Sequence, residues 1–107
     1  MTYEEMEKRA EKMEQNKINF LVEALQPEEG ETVTAKYYIA GYFNTGDHWI
    51  NEFSNRQELV YTVRRLYQNE AVIRPWVITE AQTGIKLWDS KNGFSEAKHP
   101  KYMELEI

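Results

Sequence analysis

Two histidines, His48 and His99, are the whole imidazole inventory of this chain, and it has no cysteine. A hydrolytic zinc centre usually takes two or three histidines with a carboxylate, whereas these two show no His-x-His or His-x-x-x-His spacing. Asp47, His48 and Glu52 offer at most a weak surface site, since strand alternation puts His48 and Glu52 on one face. A turn aspartate followed by an exposed strand histidine is the plainer reading. The serine nucleophiles are Ser54, Ser90 and Ser95. Ser54 suits a helix N-cap, Ser90 stands beside Asp89 in a turn, and nothing resembles a Gly-x-Ser-x-Gly elbow. Acid–base chemistry needs a carboxylate held in an apolar pocket so that its pKa rises. Glu52, Glu80 and Asp47 are the nameable candidates for a small enzyme using carboxylates. Alternation turns Glu52 away from Trp49 and Phe53, while Glu80 shares a face with Trp76. The glycines at 30, 41, 46, 84 and 93 have no phosphate-cradling spacing. No catalytic residue, metal ligand or cofactor is expected.

The residues with a plainer use are those that bind. On a strand over residues 32–43, the face opposite the core carries Lys36, Tyr38 and Tyr42. Trp49, pairing back across the turn Asn44-Thr45-Gly46-Asp47, would lie near Tyr42. Large rigid rings on a sheet anchor protein interfaces because they bury area at low entropic cost, and they equally serve base stacking. The competing arrangement has the N-terminal helix covering this face, which would make the rings a second core layer.

Glu4, Glu5, Glu7, Glu11 and Glu14 space carboxylates regularly along a short helix. Such a surface can occupy the basic groove of a nucleic-acid enzyme by imitating phosphates. Lys8, Arg9, Lys12 and Lys17 dilute it, and a solvated helix face is the bland alternative. Arg56, Arg64, Arg65, Arg74 and Lys86 are the cations available for a local basic patch. An RNA or single-stranded DNA site would draw on Arg64, Arg65, Arg74 and Lys36. No RNP-like, KH or helix-turn-helix pattern accompanies them.

The elements that must position these residues follow from periodicity. Thr2 and Glu5 have capping-box spacing, and Met6, Ala10 and Met13 form a thin apolar stripe, which predicts a helix over 2–16 lying on the domain. Residues 18–25 fit two periods: Ile18, Leu21, Val22 and Leu25 suit a helix, while Ile18, Phe20, Val22 and Ala24 suit a strand. The β-branched and aromatic content favours the strand. Strands follow at 32–43 and 48–53, with Gly41 marking a bulge or a close backbone approach. Leu59, Val60, Val63, Leu66 and Tyr67 supply the core face of a second helix over 55–69. Val72–Thr79 and Ile85–Trp88 form a hairpin, in which Pro75 demands an edge position or irregular pairing, and Met103–Ile107 closes the sheet. Hairpin-length links make this an α+β fold with a mainly antiparallel sheet of about five strands and two helices.

The 107 residues fit one domain spanning 1–107. The aromatic share of 13% exceeds what so small a core needs, so some rings must reach the surface. Absent cysteines favour a reducing compartment, no apolar run is long enough to span a bilayer, and the N-terminus is acidic where a signal peptide is basic. A cytoplasmic protein is expected. Residues 1–32 hold nine acidic and four basic side chains, whereas the remainder holds nine of each, so the whole net charge of −5 lies in the N-terminal third. A general phosphate binder would want the opposite sign. The expectation is a non-enzymatic protein-binding module, such as a small acidic inhibitor or regulator of a nucleic-acid-handling enzyme. Its anchors would be Tyr38, Tyr42 and Trp49, with Glu4, Glu7, Glu11 and Glu14 as electrostatic guide. Nucleic acid is the lesser partner, no membrane is involved, and a homodimer stays open.

Overall fold

A computed structural model describes residues 2–94. It contains helix α1 (Tyr3–Ala24), strands β1 (Tyr37–Phe43) and β2 (His48–Phe53), helix α2 (Arg56–Leu66), and strands β3 (Val72–Glu80), β4 (Lys86–Asp89) and β5 (Gly93–Phe94). All neighbouring strands pair antiparallel in the order β2-β1-β3-β4-β5. The fold is α+β with two helices, as the hairpin-length links predict. His99, Ser95 and the strand expected at Met103–Ile107 lie outside the described residues.

The largest departure is α1. It starts on the expected capping box, with Glu5 N–H donating to Thr2 Oγ1 and Thr2 N–H to the Glu5 carboxylate. It does not stop at 16, and residues 18–25 form no strand. The helical period wins there because the sheet offers it an apolar bed: Ile18, Leu21 and Leu25 are buried against Ala40 and Val77, with Val22, Tyr38 and Tyr42 packed around them. The helix ends where Gln26 reaches over, its Nε2 donating to Gly84 O at 2.8 Å and to Val22 O at 3.0 Å. That clasp ties the end of α1 to the β3–β4 turn, 58 residues away in sequence.

The other face of the sheet is covered by α2. Leu59 and Val63 pack on Tyr37, Ile39, Trp76, Ile78, Leu87 and Trp88, with Trp49, Phe53, Leu66 and Val72 at the margin. The N-cap is Asn55 rather than Ser54, its side chain accepting from Gln57 N–H at 2.7 Å, and the helix closes at Leu66 instead of 69. Gln68 and Asn69 N–H turn back to the Arg65 and Leu66 carbonyls, a tight final turn that leads into β3.

Pro75 lies in the middle of the sheet, since β3 pairs with β1 on one side and β4 on the other. It is accommodated by irregular pairing. The β1–β3 register shifts between Ala40 and Tyr42, so that Arg74, Pro75 and Trp76 together stand opposite Gly41. Trp76 N–H finds its acceptor in the Ser90 hydroxyl at 2.8 Å, and Ser90 N–H donates to the Trp76 carbonyl at 3.0 Å. β1 itself begins at Tyr37, five residues later than the alternation suggests. Among the described residues, no helix is long and apolar enough to cross a membrane.

Candidate functional site

A helix turns about 100° per residue, so positions spaced three and four apart share one stripe. In α1 one such stripe runs Glu4, Glu7, Glu11, Glu14, Ile18, Leu21, Leu25. Its last three members are buried on the sheet, while its first four are acidic. The change of chemistry coincides with the end of the support beneath it. Every residue from Tyr3 to Met13 is exposed, and Glu14 is half-buried at the boundary. With 22 residues the helix is about 33 Å long, and its first half, exposed throughout, stands out from the packed layer.

A second stripe on the projecting half is apolar and equally uncovered. Tyr3 is 75% exposed, Met6 56% and Met13 62%. The stripe expected to rest on the domain therefore faces water, because Ile18, Leu21 and Leu25 take over that contact. Where the projecting half meets the body, an open cleft is lined by Ala10, Met13, Glu14, Lys17, Arg74 and Pro75. Lys91 Nζ donates to the Glu11 carbonyl at 3.4 Å.

The three rings expected to act together are divided between the two faces. Tyr42 pairs with His48 and Tyr38 with Glu52, on the face covered by α1, whereas Trp49 pairs with Gly41 on the face of α2. All three are half-buried. The Tyr42 hydroxyl donates to the Lys17 carbonyl at 3.4 Å, and burial pushes its pKa above 10.0. Tyr38 is also pushed up, by burial first and then by the charges of Glu31 and Glu52. These two rings belong to the layer between α1 and the sheet. The surplus ring area surfaces instead at Tyr3, Phe20, Phe43, Tyr61 and Tyr67.

The cations are divided too. Arg65 lies over the exposed Tyr61 ring at 5.7 Å, and Arg74 over Tyr67 at 5.0 Å and Trp76 at 5.8 Å. Tyr67 meets Trp76 edge to face. Arg64 lines a neighbouring groove with Arg56, Gln57, Val60 and Tyr61. Lys36 stands at the other end of the sheet, where its N–H donates to Phe53 O and its ammonium lies over Tyr37. The grouping of arginines with Tyr61 and Tyr67 escaped the sequence reading. Helical spacing of Tyr61 with Arg65 was the available signal.

The carboxylates singled out for acid–base work sit in different settings. Glu52 is exposed on β2 and Asp47 is exposed in the preceding turn. Glu80 is buried beside Tyr37 in the ladder. Among the described residues, no three histidines, aspartates or glutamates gather as metal ligands would. Asp89, which the sequence did not single out, is the most elaborately bonded carboxylate. It is fully buried and accepts from Lys86 Nζ at 2.8 Å, Lys91 N–H at 2.9 Å and Asn92 N–H at 2.6 Å. Burial pushes its pKa up, but the Lys86 and Asn92 bonds together outweigh it and hold the carboxyl below its ordinary value. Its ligands are local, so its work is to close the β4–β5 turn.

Comparison with family models, with curated proteins and with solved structures finds no match for this chain.

Proposed function

We propose that this chain is a non-enzymatic protein-binding module whose docking element is the projecting half of α1. The acidic row Glu4, Glu7, Glu11 and Glu14, continuing a stripe that elsewhere serves the core, is the observation that carries the reading. A helix stripe without support ordinarily has no reason to stay uniform, whereas this one keeps one sign of charge over four successive positions. Beside it Tyr3, Met6 and Met13 supply apolar contact. A rigid helix with an acidic row and an adjacent apolar row fits a partner groove with cationic walls and an apolar floor. Grooves with cationic walls are how nucleic-acid-handling enzymes hold phosphate backbones, so the module serves as a small inhibitor or regulator of such an enzyme.

The test compares the wild type with E4Q/E7Q/E11Q/E14Q as baits in lysate of the source cell, followed by assays of any nuclease or related enzyme captured. Gln keeps helix propensity close to that of Glu. Capture of a basic-grooved enzyme that the wild type inhibits, with at least about tenfold weaker binding by the quadruple variant, supports the reading. Equal capture by both baits removes it.

A second reading, single-stranded nucleic-acid binding, draws on the exposed rings Tyr61 and Tyr67 flanked by Arg65 and Arg74. Oligonucleotide binding that weakens steeply with salt, and is lost in Y61A/Y67A, would favour it over the first.

A further inference from the structure

β2 is the free edge of the sheet among the described residues, and its ladder to β1 fixes which of its peptide groups are unused. Phe43 N–H donates to Asp47 O at 2.8 Å, closing the hairpin, and Lys36 N–H donates to Phe53 O at 3.0 Å at the far end. The backbone groups of Asp47, Trp49, Asn51 and Phe53 therefore turn towards β1, and those of His48, Ile50 and Glu52 turn outwards. Natural edges are guarded by charged side chains, lysine above all, by proline, by bulges or by very short strands, and the one carboxylate of β2 is Glu52. β2 has six residues, neither lysine nor proline among them, and an unbroken register with β1. The side chains of His48, Ile50 and Glu52 all stand on the α1 face, and all three are exposed.

We propose that two copies of this chain join antiparallel through β2, about a two-fold axis perpendicular to the sheet at Ile50. The strand is self-complementary in this one register. Ile50 faces its own equivalent, His48 faces the carboxylate of the partner's Glu52, and Glu52 faces the imidazole of the partner's His48. All three outward peptide units are used, giving about six interchain hydrogen bonds. One apolar and two imidazole–carboxylate cross-strand pairs lie above them. A shift by two residues sets Ile50 against a glutamate or a histidine and leaves one peptide unit unpaired. The contact is isologous and closed, so it ends at a dimer instead of growing into a fibre. It stands independently of the role assigned to the exposed first half of α1; later in that helix, Phe20 meets the His48 ring edge to face at 5.5 Å.

Sedimentation velocity over a dilution series tests it, with circular dichroism confirming that each variant is folded. The wild type should sediment as a dimer that dissociates on dilution. I50K, at a side chain already 44% exposed, sets two ammonium groups across the axis and should raise the dissociation constant at least about tenfold. H48E should weaken the dimer in the same way, and H48E/E52K should restore it, because each glutamate then faces a lysine of the other copy. M6E/M13E, on the projecting helix, should leave the dimer intact. A wild type that stays monomeric at its highest soluble concentration overturns the proposal. So does a dimer indifferent to I50K, a double variant no better than H48E, or a dimer lost in M6E/M13E.

Discussion

Trp49 and Trp76 meet above Gly41, the space a side chain would need there being filled by the two indoles. A Cβ built on Gly41 would lie 2.6 Å from Trp76 Cδ1 and 2.7 Å from Trp49 Cζ2. The same glycine stands opposite the three-residue irregularity that admits Pro75 into a central strand. One methyl group at this point has nowhere to go without moving two rings. Gly41→Ala is expected to cost about 1–3 kcal/mol, read as a lower urea midpoint with unchanged m. An unchanged midpoint would mean that the indoles are not seated as described.

The two halves of α1 should respond very differently to truncation. Leu21 is fully buried against β3, whereas Met13 faces water. Leu21→Ala should lose about 2–5 kcal/mol of stability, and Met13→Ala should stay within about 0.5 kcal/mol of the wild type. Chemical denaturation of both variants checks the contrast. Similar losses would place the first half of the helix on the body.

Asp89 makes the protein sensitive to acid. Its pKa is below the ordinary 3.8 in the fold, so the stability it contributes is present above that value and is lost as pH falls through the folded value. Asp89→Asn should remove that part of the acid limb. It should also cost about 1–3 kcal/mol near neutral pH, because Lys86 loses a buried anionic partner. Urea midpoints measured across the acid range decide it.

Tyr38 and Tyr42 act at the other end of the scale. Both phenols are raised above 10.0 in the folded chain, so the unfolded chain ionises first. Stability is fully present below 10.0 and declines as pH rises through the raised values. Y38F/Y42F should decline less as pH rises above 10.0. Identical alkaline limbs would contradict the packing of these rings beneath α1.

Much of this architecture was legible in residue spacing, and the failures have identifiable causes. Alternation from Tyr37 to Phe43 and the apolar face Leu59–Val63 placed β1 and α2. Residues 18–25 satisfied both periods at once, and local composition favoured the wrong one. What decides between them is the bed formed by Ala40 and Val77, which no local window contains. For the ring cluster, the missing fact was the hairpin register. Once Phe43 closes on Asp47, Trp49 must stand opposite Gly41, and parity then separates it from Tyr42. The acidic row was visible from the start; that it continues the stripe occupied by Ile18, Leu21 and Leu25 could be seen only after the helix was known to run past Asn16.

A helical rod clamped along its last turns keeps its aim. To swing the tip carrying Glu4 and Glu7, the chain must either bend an uninterrupted run of helical hydrogen bonds or prise Ile18 and Leu21 off the sheet. The carboxylates at the far end are thus held out at a set angle, as teeth on a key whose bow is gripped by the strands.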